Sequence, residues 1–317
     1  MVTVSVPPTT VTQTIITTPS PSSSAGPASA SSGSPTAWTV PPLITDLTSF
    51  KISYFPYGQD NLAIVNGSQS QGQPNASTAT DLAAVAAAGI SRPSSVPTQS
   101  PSTVNGTNAA LQLFYPAGSI NPESQPQGGA DFYASPIDIS KAKNVTLEYS
   151  VFFPADFDWV LAGKLPGLYG GHSGCSGGND ARSCFSTRLM WRAEGAGELY
   201  LYAPKDKQTK ALCSAPPQSV CDQEYGLSIS RGSFNFASGA WTHVKQTVTL
   251  NTPGGQDGGF VLDVNGQEVM RRADVFYRDA AVLPRRCPSF FGGHEEKYAS
   301  PRDQYTWFKD FAIIIND

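Results

Sequence analysis

The sequence predicts an all-β fold, an antiparallel β-sandwich of the jelly-roll kind, on three observations. Charged residues make up only 15% of the 317 residues, whereas the chain holds 29 glycines and 26 prolines, which is typical of short strands joined by many turns. From residue 109 onward, many short segments are rich in β-branched and aromatic residues, and many alternate. The sequence shows neither a long 3.6-residue period nor a strand–helix–strand rhythm, which favours antiparallel sheets.

The first 42 residues differ in composition from the rest of the chain. Residues 1–42 consist almost entirely of Ser, Thr, Pro, Ala, Val and Gly, so they cannot bury enough apolar surface to offset their ordering entropy. We expect a disordered Ser/Thr/Pro-rich linker over 1–42 and one β-jelly-roll domain over 43–317. Within that domain, residues 66–108 turn polar and rich in Pro and Ser, so we expect a long irregular excursion there.

The expected strands follow one another with turn residues between them. The folded part begins near Leu47, with a first strand from Phe50 to Phe55. Asn265 and Gly266 separate two β-rich runs, and this pair predicts a tight hairpin because both residues tolerate positive φ angles. The later strands are expected in LQLFYP, DFYASPIDI, NVTLEYSVFF, FDWVLAGKL, CFSTRLMWR, GELYLYA, WTHVKQTVTL, GGFVLDVNG and YTWFKDFAIIIN.

Four of the five cysteines fall into two short loops, Cys175–Cys184 and Cys213–Cys221. Both loops are rich in Gly, Ser, Pro or Asp, so their spacing predicts two local disulfides formed in an oxidising compartment. A zinc site is the competing interpretation, but the sequence has no CxxC pair, and His172 is the only histidine nearby. Cys287 is left over, either as a buried residue or as a free thiol.

Net charge, hydrophobicity and glycosylation motifs narrow the class of protein further. The net charge of -4 provides no basic field for nucleic acid, and no stretch is long and apolar enough to span a membrane. We expect a secreted monomer. Four Asn-x-Ser/Thr sequons favour the secretory route together with the cysteines: Asn66, Asn75, Asn105 and Asn144.

One predicted strand, CFSTRLMWR, presents two different faces because side chains alternate along a strand. Ser186, Arg188 and Arg192 share one face, which carries a hydroxyl and two guanidinium groups. The planar fork of Arg can bind both oxygens of a carboxylate, so this face suits an acidic ligand. The other face suits the core and comprises Phe185, Thr187, Leu189 and Trp191.

The next predicted strand, GELYLYA, places Tyr200 and Tyr202 on one face. The short link between the two strands predicts a hairpin, so the tyrosines and Arg188 would form one surface. Lys164 ends an apolar strand just before a Pro/Gly turn, and partial desolvation there would lower its pKa and suit it to acid–base work. Each of these residue types alone is common on solvated strands, so their combination carries the prediction.

The motifs KLPGLYGG, CSGG, CFSTRLMWR and GELYLY resemble polysaccharide lyase family 14, whose members include alginate and glucuronan lyases. The resemblance is specific over roughly residues 145–204 and continues more weakly through FFGGHEEKYASPRDQYTWFKDFAI; the linker and residues 66–108 lie outside it. It implies a β-jelly roll with a cleft on its concave sheet and a disulfide across Cys175–Cys184. It also implies a lyase that cleaves a 4-linked polyuronate, glucuronan or alginate, by β-elimination, leaving unsaturated uronate ends.

The resemblance places the family's functional lysine at Lys164, its serine and arginine at Ser186 and Arg188, and its two tyrosines at Tyr200 and Tyr202. β-Elimination requires neutralisation of the carboxylate beside C5, a base for the C5 proton and an acid for the O4 leaving group. Arg188, with Ser186, suits the neutralisation, and Lys164 is a further candidate for it. The tyrosines are the candidate base and acid, because cationic neighbours favour a phenolate, and Lys164 is a rival base. No metal or other cofactor is then required.

Further residues and two other functional classes stay open at this point. We expect His172, Arg182 and Arg192 to line sugar subsites of an acidic polysaccharide. A non-catalytic jelly-roll carbohydrate-binding protein would keep the same surface without an acid–base pair. A glycoside hydrolase would instead use two carboxylates. The carboxylates near the motifs are Asp156, Asp158, Glu194 and Glu198.

Overall fold

The structure is a computed structural model, and the predicted excursion and most of the linker lie outside the residues it describes. Residues 1–35 and 67–108 belong to that undescribed part. The described residues are 36–66, 109–121, 123–172, 174–221, 224–279, 287–291, 293 and 295–317.

Eight strands form the first of two antiparallel sheets. They are β1 (Ala37–Thr39), β3 (Leu62–Asn66), β4 (Ala109–Tyr115), β6 (Asn144–Phe152), β13 (Trp241–Thr249), β14 (Gly258–Val264), β15 (Gln267–Val275) and β17 (Gln304–Ile315). Their order is β15-β14-β13-β6-β17-β4-β3, and β1 pairs with β17. The three-residue strand β1 lies before residue 43, within the range predicted as linker. Its Trp38 packs edge-on against Phe50, with ring centres 5.3 Å apart. The folded chain therefore begins earlier than its composition predicts.

Nine strands form the second sheet. They are β2 (Ile52–Tyr57), β5 (Ala130–Ala134), β7 (Ala162–Leu165), β8 (Tyr169–Gly171), β9 (Cys184–Arg192), β10 (Ala196–Tyr202), β11 (Val220–Cys221), β12 (Leu227–Asn235) and β16 (Cys287–Phe291). Their order is β11-β12-β10-β9-β7-β16-β5-β2, and β8 pairs with β9. The predicted all-β jelly-roll sandwich is thereby confirmed.

Helical structure is confined to short turns in the described part of the chain, where no helix is both long and apolar enough to cross a membrane. Among the described residues, the α-helical turn α1 covers Lys210–Cys213, and the Thr209 side chain caps it by accepting a hydrogen bond from the Leu212 N–H. The 3₁₀ turns cover Thr48–Phe50, Gln59–Asn61, Ala193–Gly195, Lys205–Lys207 and Glu296–Tyr298.

One hydrophobic core lies between the sheets. Phe185, Leu189 and Trp191 of β9 and Leu147 and Tyr149 of β6 are all buried in it. The inward residues of β9 are thus the apolar set that strand alternation predicts, and the other face of β9 points away from the core. Burial of each such large side chain contributes roughly 1.5–3 kcal/mol to folding.

The sequence locates one hairpin correctly and one strand incorrectly. The turn between β14 and β15 has positive φ at Asn265 and Gly266, as the sequence predicts. FDWVLAGKL, by contrast, is extended in the second sheet only at β7. Val160 adopts a left-handed conformation, with a φ of 50°, and Trp159 packs 4.4 Å from the Phe153 ring. Aromatic packing in the core therefore replaces strand pairing over this segment.

A buried group of hydrogen bonds crosses the core between the sheets. Gln246 of β13 donates from Nε2 to the Pro166 carbonyl (3.2 Å), and its Oε1 accepts from Thr187 Oγ1 of β9 (2.8 Å). Tyr149 of β6 donates from its hydroxyl to the same Pro166 carbonyl (3.0 Å). The turn that follows β7 is therefore held by side chains of the opposite sheet, directly beside β9.

Phe153→Ala should lower the free energy of unfolding by about 3–5 kcal/mol, because Phe153 is fully buried and the cavity left behind cannot close completely. Its ring centre lies 5.4 Å from that of Trp191 and 5.7 Å from that of Phe236. Urea unfolding measures the loss. Leu161→Ala is the matched control: Leu161 is 41% exposed, so its loss should stay within about 0.5 kcal/mol. Equal losses in both variants would contradict the packing described.

Candidate active site

A cleft of about 410 Å³ lies on the face of the second sheet that points away from the core. Cations and tyrosines line it together with a few carboxylates. The cations are Lys164, Arg188, Arg192 and Arg231; the tyrosines are Tyr57, Tyr200, Tyr202, Tyr225 and Tyr298; the carboxylates are Glu123, Asp131 and Glu295.

Strand register brings the predicted residues onto this face. β9 and β10 form the expected hairpin pairing, with Arg188 opposite Tyr200 and Ser186 opposite Tyr202. β7 pairs with the other edge of β9 and places Lys164 opposite Met190. The Lys164 amine lies 5.3 Å from the centre of the Tyr200 ring. Three strands therefore deliver the amine, the guanidinium and the phenols to one cleft.

Arg188 has a guanidinium with unused donors. The residue is only 3% exposed, and its Nε and Nη2 atoms have no hydrogen-bond partner among the described residues. Its guanidinium carbon lies 5.9 Å from the Tyr200 ring centre and 5.5 Å from that of Tyr202. Buried, unpaired charged donors are costly, so an anionic ligand in the cleft would gain strongly from pairing with them.

The pKa of the Lys164 amine is lowered. Burial is the main reason that its pKa lies well below the ordinary lysine value of 10.5. The positive charges of Arg188 and Arg192 lower this pKa further, and the carboxylate of Glu198 opposes them. The amine is therefore neutral, and able to accept a proton, at a pH where an ordinary lysine is still charged.

The pKa of Tyr200 is shifted in the opposite direction. Burial raises its pKa, and Tyr202 adds to this effect, whereas Arg188 and a hydrogen bond from the Gly226 N–H to its hydroxyl (3.2 Å) act in the lowering direction. The sequence suggested that cationic neighbours would favour a phenolate at the tyrosines. For Tyr200 the structure reverses this expectation, because desolvation outweighs the nearby charge.

Tyr202 and Ser186 both contact the loop that borders the cleft. Ser186 is fully buried, and its hydroxyl donates to the Cys175 carbonyl (3.2 Å). Tyr202 is almost fully buried, and its hydroxyl accepts a hydrogen bond from the Gly178 N–H (3.4 Å). Ser186 therefore binds the loop at Cys175 and is not among the residues that line the cleft.

Two disulfides hold the loops around the site. The structure joins Cys175 to Cys184 and Cys213 to Cys221, with Cα atoms 5.8 and 5.6 Å apart. Both predicted pairings are confirmed, which excludes the alternative of zinc at these four cysteines. Cys287 lies in β16.

The remaining predicted residues divide between the cleft and the outer surface. Arg192 lines the cleft. Arg182 is 74% exposed and pairs with Asp180 at 3.1 Å, and His172 is exposed; neither is among the residues that line the cleft. Sequence proximity to the lysine motif therefore did not bring these two side chains into the site.

The carboxylates near the motifs are placed unfavourably for hydrolysis. Glu198 is fully buried and paired with two arginines, and Asp156 lies in an exposed loop beside Arg302. Asp158 and Glu194 are likewise not among the residues that line the cleft.

Arg231 lines the cleft although strand alternation points it into the core. In LSISRGSFN, simple alternation groups Arg231 with the inward residues Leu227 and Ile229. The pairing of β12 with β10 instead contains a register shift, and Ser230 adopts a positive φ of 52°. Such a bulge turns the following side chain to the other face. Gly232, an isolated glycine inside the strand with a positive φ of 82°, is the signal that could have indicated this bulge.

Comparison with known proteins agrees with this geometry. The sequence model of a family described as Polysaccharide lyase 14 matches residues 103–311. The crystal structure of the marine alginate lyase of family 14 from Aplysia kurodai is similar, with a TM-score of 0.68 and 29% identity over 89% of this chain and 99% of that one. The alginate lyase vAL-1 from Chlorella virus has a TM-score of 0.57 and 24% identity, over 69% of this chain and 89% of that one.

Exolysin of Paramecium bursaria Chlorella virus 1 is also related in sequence. It is 29% identical over 140 aligned residues, and the match covers 38% of this chain. The match spans only 21% of the length of exolysin.

Arg192→Gln should raise the pKa of Lys164, because it removes one positive charge and leaves the Glu198 carboxylate less compensated. Carbon-13 NMR of labelled lysine side chains, with Lys164→Met for assignment, measures this pKa. Arg271→Gln is the matched control, since Arg271 lies on β15 of the first sheet and pairs there with Glu268. A lower or unchanged Lys164 pKa in Arg192→Gln would contradict the electrostatic origin of the shift.

Proposed function

The chain belongs to polysaccharide lyase family 14, and on this premise we propose that it cleaves a 4-linked polyuronate, alginate or glucuronan, by β-elimination. One observation carries the proposal: the Lys164 amine and the buried guanidinium of Arg188 lie 5.3 and 5.9 Å from the centre of the Tyr200 ring, and two donors of that guanidinium have no partner among the described residues. The similarity to the Aplysia kurodai alginate lyase, at 29% identity, supports alginate as the first substrate to test.

Arg188 neutralises the carboxylate of the reacting uronate. Its planar fork offers parallel donors to both carboxylate oxygens, and no described residue occupies its Nε and Nη2 donors. Neutralisation makes the C5 proton more acidic and stabilises the enolate-like charge that develops as the proton leaves. A buried site strengthens this effect because little water screens the charges.

Lys164 is the base, which the sequence left undecided. Its lowered pKa makes the neutral amine available at a pH where an ordinary lysine is charged. The amine takes the proton from C5, and the electron pair of the C–H bond forms the C4–C5 double bond. The charge then leaves with the O4 oxygen of the departing sugar.

Tyr200 is the acid that protonates this leaving oxygen. Its raised pKa keeps the phenol protonated, so it can donate but is a poor base. Tyr202 packs between Arg188 and the disulfide loop, where the guanidinium carbon lies 5.5 Å from its ring centre. We assign Tyr202 to sugar contact and to placement of Arg188.

We also propose that the protein acts outside the cytosol. The two short-range disulfides support an oxidising compartment. The four sequons of the sequence agree with that compartment.

Lys164→Ala and Arg188→Ala should each lower kcat by at least about 100-fold, the scale of one acid–base or electrostatic group. The assay is the rise in near-ultraviolet absorbance of the unsaturated product on alginate blocks and glucuronan. Tyr200→Phe should lose activity on the same scale and Tyr202→Phe less, while Arg271→Gln stays at the wild-type rate. Full activity in a folded Tyr200→Phe/Tyr202→Phe variant would refute the tyrosine assignment. Cleavage without an absorbance rise would indicate hydrolysis.

The pH profile should rise through the lowered pKa of Lys164. Because only the neutral amine accepts the C5 proton, kcat/KM increases as pH increases and levels off once Lys164 is deprotonated. The rising limb should lie well below pH 10.5, and Arg192→Gln should move it to higher pH. Steady-state rates on a defined oligouronate measure both effects. A rising limb that stays in place in Arg192→Gln would argue against Lys164 as the base.

A further inference from the structure

A fully buried carboxylate lies beneath the cleft floor and binds two of its cations. Glu198 accepts hydrogen bonds from Arg192 Nη2 at Oε1 (2.5 Å), and from Arg231 Nε (2.8 Å) and Ser228 Oγ (2.6 Å) at Oε2. Burial of an ionised carboxylate is tolerated only when charged and hydrogen-bonding partners surround it, as they do here. Glu198 therefore binds no substrate but fixes the position of two guanidinium groups.

These two guanidinium groups remain open to the cleft. The side chains of Arg192 and Arg231 are 19% and 29% exposed, and both line it. Arg192 Nε is buried and has no hydrogen-bond partner within the described part of the chain. A guanidinium offers five N–H donors, so the bonds to Glu198 leave donors for a second anion.

Arg192 of this group lies near Tyr200, the residue proposed to protonate the leaving oxygen of the reacting sugar. The guanidinium carbons of Arg188 and Arg192 each lie 5.9 Å from the centre of the Tyr200 ring. The two arginines lie on the same face of β9, with backbone positions roughly 13 Å apart at the rise of an extended strand. Two cationic positions therefore flank the proposed proton donor.

The net charge of this group suits a second anion. Two arginines and one glutamate leave one net positive charge, separate from the charge of Arg188 that meets the reacting carboxylate. Lys164, with its lowered pKa, adds little positive charge once its proton is lost. Two of the carboxylates that line the cleft have other partners: Glu295 pairs with Lys297 (2.9 Å), and Glu123 accepts a hydrogen bond from the Tyr57 hydroxyl (3.2 Å). Arg188 and the Arg192–Arg231 pair are therefore two separate cationic positions, which suit two carboxylates of a substrate.

We infer that Arg192 and Arg231, held in place by Glu198, form a second carboxylate subsite that binds the uronate next to the one undergoing elimination. This inference rests on the proposed function and adds the carboxylate of the neighbouring uronate as a second group that the cleft recognises. Arg192 and Arg231 are binding residues here, and Glu198 is a positioning residue.

The experiment varies both the enzyme and the substrate. One probe is a fully ionised alginate oligomer; the other is the same oligomer with a methyl ester on the uronate next to the reacting one. Wild-type KM should rise about tenfold on the ester, the scale of a lost charge-assisted hydrogen bond, with a much smaller change in kcat. Arg231→Gln should show that tenfold rise on the ionised oligomer and no further rise on the ester.

Two further variants make the result decisive. Arg231→Lys keeps a positive charge beside Glu198, so it should unfold at the wild-type temperature and still lose most of the discrimination, because it lacks the planar fork. Arg271→Gln on β15 should discriminate as the wild type does. Equal KM rises on both probes in Arg231→Gln, or equal wild-type KM values for both probes, would overturn the inference.

Failure of the proposed function gives a separate signature. If the wild type cleaves no polyuronate, titration calorimetry with the same two oligomers tests the subsite alone. Weaker binding of the ester by the wild type, with no such difference in Arg231→Gln, would support the subsite. Equal binding of both oligomers by the wild type would overturn it.

Discussion

The Pro166 carbonyl, buried between the two sheets, is the contact on which the site depends. It accepts hydrogen bonds from Tyr149 and Gln246 of the first sheet, and Gln246 in turn accepts one from Thr187 of β9. Pro166 follows Lys164 by two residues, and Thr187 immediately precedes Arg188. One buried polar group thus joins the sheets and sets the amine beside the guanidinium. Because an unpaired buried carbonyl or amide is costly, the arrangement is held to one geometry.

Burial also divides the acid–base roles within the cleft. Desolvation disfavours the charged form of any group, so it lowers the pKa of Lys164 and raises that of Tyr200. One physical cause therefore favours a neutral amine and a protonated phenol, the forms that the proposed base and acid need, with the amine 5.3 Å from the phenol ring centre. Pairs of groups whose pKa values are pushed in opposite directions are typical of sites for proton transfer.

The arginines on the cleft floor differ in the partners that hold them. Nε and Nη2 of Arg188 have no hydrogen-bond partner in the described part of the chain, whereas Arg192 and Arg231 share one buried partner, Glu198. A partner buried below the floor removes mobility from two long side chains before substrate arrives, which reduces the entropy lost on binding. Together, an open guanidinium and a preorganised pair suit a polymer with repeated carboxylates.

The sequence by itself determined the β-rich class, the Asn265–Gly266 hairpin, both disulfide loops and the shared face of Arg188 with Tyr200, because strand alternation and loop spacing are local properties. Only the tertiary structure decided the rest. It buried Glu198 and turned Arg231 into the cleft through the bulge at Ser230. The pKa of a side chain depends on its burial, and the position of a bulge depends on pairing with a neighbouring strand. Neither can be determined from the sequence of one strand alone.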